Sequence, residues 1–290
     1  MLTANKINVD GYNLSFIEHP NKRSKYLATI RVKEKISDDE YPTVRNKTFL
    51  LILNDKFEVD SMKEMIEKTD PPRKRFTSYT TGLEDCRLIS DTLMTGVLLD
   101  NNENWIPEMC LCHFDLHTGN INKIITLRDG DDTPQKNWLA LSNNTTSIHF
   151  LHSYSPLKVV SVEKEEGMKH TIHFQKIFNL EGCEMHGGAC VHINQSNQFL
   201  VSVRVVQYHR YQFSLWLLFS DKYKVIGTSA PFKFFEKNDN DNHYEMCMSL
   251  VKKENLIYAS ISVCDKDVYI VKYDLNEILK EISMKDTIDN

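Results

Sequence analysis

FLVSVRVVQYHRYQFSLWLLF, residues 199–219, decides the fold class of this chain. Two runs rich in Val, Leu, Phe and Trp, 199–206 and 213–219, flank a short polar segment, which is the pattern of an antiparallel hairpin. Similar runs recur on both sides of it: YLATIRV (26–32), TFLLIL (48–53), SIHFLHSY (147–154), LKVVSV (157–162), HTIHFQKIF (170–178), LIYASISV (256–263) and DVYIVKYDL (267–275). Asn, Asp, Lys and Gly fill the gaps, and few gaps hold a helix-length periodic segment, so hairpins rather than βαβ units are expected. Two stretches read as peripheral helices, FEVDSMKEMIEKT (57–69) and LNEILKEI (275–282). No clean repeat of roughly 40–50 residues is visible. The residues alone therefore give one all-β domain over 1–290, a barrel, sandwich or propeller, with a loose tail from about 280.

Bulk properties exclude several classes of function. The 290 residues are 41% hydrophobic and 26% charged, enough apolar material for a sizeable core. A net charge of −5 gives no electrostatic reason to expect a nucleic-acid partner. The basic run PPRKRF (71–76) reads as a solvated loop. Seven cysteines, an odd number without a CxxC pair, fit a reducing compartment. Cys110, Cys112 and His113 have no second half at ligand spacing and read as strand residues, so no metal is expected. The start MLTANKINVDGYNLSF has no signal-peptide pattern, and no stretch approaches the ~18 apolar residues of a membrane span. A cytoplasmic protein, off the membrane, is the expectation; the oligomeric state is open.

Polar residues that interrupt apolar runs are the candidate functional positions. TGLEDCRL (81–88) sets Glu84, Asp85 and Arg87 just after a glycine, and two carboxylates beside a guanidinium form either a proton-transfer site or a surface ion pair. Asn13 and Ser15 of NLS, and Arg31 in the strand YLATIRV, are further candidates. Lys136, Asn137 and Trp138 combine a cation, an amide and an aromatic face, which suits a sugar ring or a turn followed by a core Trp. HSYSP supplies Tyr154, and Gly187 and Gly188 of HGGA allow a positive φ, a close backbone approach or a hairpin turn. Arg204, His209 and Arg210 in VRVVQYHRY cluster positive charge for a phosphate or pyrophosphate. Glu245 and Asp265 add late carboxylates, and an inverting attack by water needs a base opposite the acid.

Taken in order, these segments resemble glycoside hydrolase family 130, five-bladed β-propellers that include inverting mannoside phosphorylases and related mannosyltransferases. The resemblance rests on NLS, IRV, GLEDCR, KNW, HSYSP, HGGA and SVCDKD, and it extends over most of the chain. YHRYQFSLWLLF, SAPFKFFE and YEMCMSL are similar to a branch common in viral and microbial glycan clusters. The resemblance implies an all-β, five-bladed β-propeller with short peripheral helices. It implies Asp85 as general acid, with Glu84, Arg87, Asn137 and Trp138 among the residues that position a sugar or oligosaccharide. Arg31, Lys136, Arg204 and His209 would hold inorganic phosphate, a sugar phosphate or a nucleotide sugar as co-substrate, with no further cofactor. The chain departs from the family where its H-R-P becomes Tyr154-Ser155-Pro156, and where ACVHI replaces a proline-rich segment after Gly-Gly. Phosphorolysis, transfer from an activated sugar, hydrolysis with Glu245 as base, and a non-catalytic module that binds glycan or protein all stay open.

Overall fold

The runs at 199–206 and 213–219 are indeed neighbouring strands, paired from Phe199 opposite Phe219 to Gln207 opposite Tyr211. The structure, a computed structural model, describes residues 3–37, 43–76, 78–127, 134, 136–167, 169–175, 183–193, 197–207, 211–235 and 244–284. These residues form five sheets in a five-bladed β-propeller arrangement, together with one short helix. The chain divides into two compact units, Ile7–Lys136 with Glu163–Lys169, and Met1–Lys6 with Asn137–Val162 and His170–Asn290.

In the first unit, one sheet runs in the order Tyr12–Glu18, Tyr26–Lys35, Val44–Leu53, Val59–Glu64. The next runs Leu83–Leu88, Leu93–Leu98, Glu108–Phe114, Asn120–Thr126, with Ile66–Glu67 added in parallel at its outer edge. Leu27, Leu50, Met65, Leu83, Leu98 and Phe114 pack into one buried cluster of this unit. Cys110 and Cys112 are buried in the strand Glu108–Phe114, and His113, the next residue along it, is partly exposed, so all three are strand residues.

The remaining sheets are Leu139–Asn143, Ser147–Tyr154, Leu157–Glu163, Lys169–Gln175; then Cys183–His192, Phe199–Gln207, Tyr211–Phe219, Val225–Ser229; and finally Glu245–Lys253, Leu256–Val263, Asp267–Asp274. Thr3–Lys6 is the outer strand of the last sheet, antiparallel to Asp267–Asp274. Trp216 anchors the core of this unit, stacked on Phe232 at 5.3 Å and edge-on to Tyr273 at 5.9 Å.

Five sheets imply a structural repeat, and it appears as an irregularity. The first strand of every sheet slips register against its neighbour once: between Tyr12 and Ser15, Glu84 and Arg87, Ala140 and Ser142, Gly187 and Ala189, and Cys247 and Ser249. A bulge of this kind leaves a residue out of the ladder and re-aims side chains. Four of the five slips fall within or beside NLS, GLEDCR, HGGA and YEMCMSL, segments where polar residues or glycines interrupt the sequence pattern.

The expected helix over 57–69 does not form. Phe57 has a left-handed φ of 64°, and Val59–Glu64 is the fourth strand of the first sheet. Its Asp60, Ser61, Met62 and Lys63 are exposed, since an outer strand carries charge to blunt its open edge, and that polarity imitates a helix surface. The second helix exists as Leu275–Glu281. Asp274 caps it by accepting the N–H groups of Asn276 and Glu277 at 2.8 and 3.3 Å. Of the loose tail expected from about 280, Ile282–Met284 is instead a strand antiparallel to Val225–Ser229, and 285–290 lie outside the described residues. Nor is 71–76 simply a solvated loop: Arg73 is enclosed and paired with Glu67 and Asp100 at 3.3 and 3.1 Å.

All seven cysteines are free. Among the described residues no helix is long and apolar enough to cross a membrane, and no group of three or more His, Cys, Asp and Glu is placed to hold a metal ion.

Candidate functional site

Asn13 and Asp85 occupy the bulges of the first two sheets with left-handed φ values of 55° and 49°. Asn and Asp tolerate that region better than other side chains, and non-glycine residues held there cluster at functional sites. The two side chains meet: Asn13 Nδ2 donates to Asp85 Oδ1 at 2.6 Å. Arg31, on the adjacent strand Tyr26–Lys35, donates from Nη1 to the same oxygen at 2.9 Å and from Nη2 to Glu84 Oε1 at 2.7 Å. Asn46 closes the ring, accepting from Arg31 Nε at 2.8 Å and donating to Glu84 Oε1 at 3.0 Å. Burial acts to lower the Arg31 guanidinium's pKa, but the charges of Glu84 and Asp85 outweigh it and the net shift is upward. Tyr12 offers a ring face 5.2 Å from the guanidinium carbon.

The backbone beneath this cluster is fixed as well. Leu88 N donates to Ser15 Oγ at 3.1 Å and Thr29 Oγ1 donates to Cys86 O at 3.0 Å, tying Leu83–Leu88 to the first sheet. At Gly82, φ is 83° and a Cβ would stand 2.4 Å from Asn46 O, so only glycine fits where the chain enters this strand. Arg87 is buried on the same strand, two residues beyond Asp85. Asn13, Ser15, Arg31, Glu84, Asp85 and Arg87 thus belong to one locality of the first unit. Lys136, also assigned to this unit, is exposed.

In the second unit, Asn137 has a left-handed φ of 64° at the entry to Leu139–Asn143. Trp138 is only 2% exposed and packs on Phe150 and His152 at 6.0 and 4.5 Å. It is therefore a core residue, and its face is not open to a sugar. Tyr154 is likewise buried, among Leu139, Leu151 and Leu157. Gly187 and Gly188 lie inside a strand rather than at a hairpin turn. Their need is close approach: a Cβ would come within 2.1 Å of Asn137 O at Gly187 and 2.0 Å of Ser202 O at Gly188. Gly187→Ala should therefore push Asn137 away and destabilise the protein by about 1–3 kcal/mol, read as a lower midpoint in urea unfolding.

Arg204 and Glu245 line a 10 Å³ cavity with Gln212, Phe213, Ser214 and Lys233. Glu245 accepts the backbone N–H of Phe234 on Oε2 at 2.7 Å and of Phe235 on Oε1 at 2.9 Å, so both its oxygens hold a chain segment in place. Asp265 has a φ of 50° and accepts a hydrogen bond from Tyr244. Burial, then the charge and bond of Asp265, push the Tyr244 hydroxyl's pKa well up, with Arg204 opposing. His209 and Arg210 lie outside the described residues. Asn46 and Tyr244 are the residues of these clusters that motif reading missed. Asn46 had a signal, because it stands two residues before Thr48 on the inward face of VRNKTF and is 4% exposed.

No protein-family model and no curated protein sequence matches the chain. Solved structures do. A β-1,2-mannobiose phosphorylase from Listeria innocua superposes with a TM-score of 0.66 at 13% identity, covering 97% of this chain and 93% of its own. A structure from the GH130 family of mannoside phosphorylases, which contains hydrolases that target β-1,2 mannosidic linkages in Candida mannan, gives 0.61 at 12% identity, covering 93% and 86%. MPT-1, a GDP-Man-dependent mannosyltransferase from Leishmania mexicana, gives 0.56 at 11% identity, covering 94% and 89%. At these identities the likeness is one of fold, and that fold is the five-bladed β-propeller of the GH130 mannoside phosphorylases and of a related mannosyltransferase.

Proposed function

We propose that this chain is a carbohydrate-active enzyme that transfers a mannosyl unit with inversion, with Asp85 as the group that moves the proton. The observation that carries the reading is the Arg31, Glu84, Asp85, Asn13 and Asn46 ring, on a fold shared with enzymes of mannosides. Asp85 Oδ1 takes both hydrogen bonds, and the side chain keeps 22% of its surface exposed, which fixes the carboxylate while leaving it within reach of a substrate. A proton-transfer group needs both properties.

In the degradative direction Asp85 gives its proton to the glycosidic oxygen, directly or through a sugar hydroxyl. The anomeric C–O bond breaks as a nucleophile attacks the opposite face. In the synthetic direction the Asp85 carboxylate takes the acceptor hydroxyl's proton while the donor's phosphate or nucleotide departs. The ion-paired carboxylate suits this second role as it stands. Transfer is favoured over hydrolysis because the oxygens of Glu245, the candidate water-activating base, are given to Phe234 and Phe235. Arg31 is given to the two carboxylates, so of the phosphate candidates Arg31 and Lys136 in this unit, Lys136 is the one left for a donor phosphate.

Incubation with mannose 1-phosphate or GDP-mannose, each with mannose or β-1,2-mannobiose as acceptor, should yield a sugar longer by one unit, detected by mass spectrometry. Binding of these sugars without turnover from either donor would favour a glycan-binding propeller.

A further inference from the structure

Two aromatic side chains of the first unit stand exposed on segments that lead to the Asp85 cluster. Tyr79 is 55% and Trp105 44% exposed, and their rings meet edge to face at 5.2 Å with planes 75° apart. Tyr79 lies close to the cluster along the chain, and Trp105 is joined to Tyr79 by their ring contact. Tyr79 O accepts the N–H of Val44 at 2.8 Å, and Thr80–Thr81 continues in parallel beside Val44 and Arg45. The next residues on those two segments are Asn46, which bonds both Arg31 and Glu84, and Gly82, which abuts Asn46.

The loop that carries Trp105 is built to hold it out. Its base is fixed by Arg73, which pairs with Asp100 at 3.1 Å and donates to Asn101 Oδ1 at 3.4 Å, while Asn101 also bonds Glu108. Its tip is fixed by Asn102, whose Oδ1 accepts the N–H groups of Asn104 and Ile106 at 3.1 and 3.0 Å and whose Nδ2 donates to Ile106 O at 2.8 Å. Trp105 itself has φ 55°, a conformation that a bulky residue adopts only when its surroundings impose it. An indole kept in water by so many bonds is preorganised for contact, with little left to order on binding. The apolar C–H face of a pyranose is the complementary surface, since an aromatic ring offers it a flat apolar area beside polar backbone and hydroxyl groups.

We propose that Tyr79 and Trp105 form a platform for the distal sugar units of an extended glycan whose terminal unit lies at Asp85. The proposal rests on the carbohydrate reading above but not on turnover. The chain has three tryptophans, and Trp138 and Trp216 are each 2% exposed, so a ligand-dependent fluorescence change reports on Trp105.

The probes are β-1,2-mannotetraose and β-1,2-mannobiose. The tetraose is expected to quench tryptophan emission and the biose to leave it nearly unchanged. Trp105→Ala and Tyr79→Ala should each weaken tetraose binding by roughly 3–10-fold in calorimetry, with biose binding and the melting temperature unaltered. Where transfer is observed, KM for the tetraose rises by the same factor and kcat is held. Quenching without turnover keeps the platform and removes the catalytic reading. Equal tetraose affinity in the wild type and both variants, or no response of the emission to the tetraose, overturns the platform whether or not the protein is active.

Discussion

Asp85→Asn is expected to lower the rate of mannosyl transfer by ~10²–10⁴-fold, the range a positioned acid or base contributes. The carboxamide has nearly the same shape, and its oxygen can still accept from Arg31 and Asn13 as Oδ1 does now, at 2.9 and 2.6 Å. The substitution therefore removes the group that can give or take a proton while leaving the cluster's outline in place. KM for donor and acceptor should change little, because the lost interaction is made in the transition state. The measurement is steady-state kinetics on whichever donor gives product, with sugar binding followed separately by calorimetry. A variant that binds sugar and turns over at the wild-type rate would remove Asp85 from the chemistry and leave the ring of Arg31, Glu84 and Asp85 as a structural ion pair. Glu84→Gln supplies the control. Glu84 Oε1 bonds Arg31 Nη2 and Asn46 Nδ2, so its loss should misplace Arg31 and cost less than Asp85→Asn.

The same cluster explains which parts of the fold could be read from residues alone. All nine runs that read as strands are strands over their described residues, with 176–178 lying outside these, and most are the second and third strands of a sheet, flanked on both sides and rich in β-branched and aromatic residues, as in Phe199–Gln207 and Leu256–Val263. The first strands were harder to see. Each carries a bulge, and one extra residue shifts a period-2 pattern onto the other face, so LEDCRL and CEMHGGACVH show no steady alternation. The outer strand Val59–Glu64 failed for a different reason, since its exposed charges resemble a helix face.

Within the candidate site, GLEDCR drew attention because a Gly followed by two carboxylates and an Arg is uncommon inside a strand. What it could not supply was the identity of the cation. Arg31, 54 positions away, is the one that bridges both carboxylates, and pairing of that kind depends on sheet order rather than on spacing. Trp138 stayed open between a sugar platform and a core aromatic for a related reason. An aromatic after a cation and an amide looks alike in a turn and in a core, and burial against Phe150 and His152 separates the two. The exposed tryptophan is Trp105, set in the polar run NNENW with nothing periodic to draw attention to it.

Arg31→Met should be the most damaging single change to stability in this cluster, at about 3–5 kcal/mol, the cost of leaving buried charge without its partner. Arg31 is 7% exposed, and its two carboxylate partners keep only 19% and 22% of their side-chain surface, so water replaces little of what the guanidinium provides. Two effects add. Glu84 and Asp85, adjacent in sequence and both turned to Arg31, would face each other as like charges, and Asn46 Oδ1 would lose its donor. Arg31→Lys should recover only part of the loss, because one ammonium cannot reproduce donations from Nε, Nη1 and Nη2 to three residues at once. The discriminating measurement is a cycle in urea unfolding. In the Glu84→Gln, Asp85→Asn background the repulsion is gone, and Arg31→Met should cost about 1–3 kcal/mol, the penalty for unsatisfied polar groups alone. An equal cost in both backgrounds would mean that Arg31 stabilises this unit through packing, for example against the Tyr12 ring at 5.2 Å, and that the charge ring contributes to the positioning of Asp85 rather than to the fold.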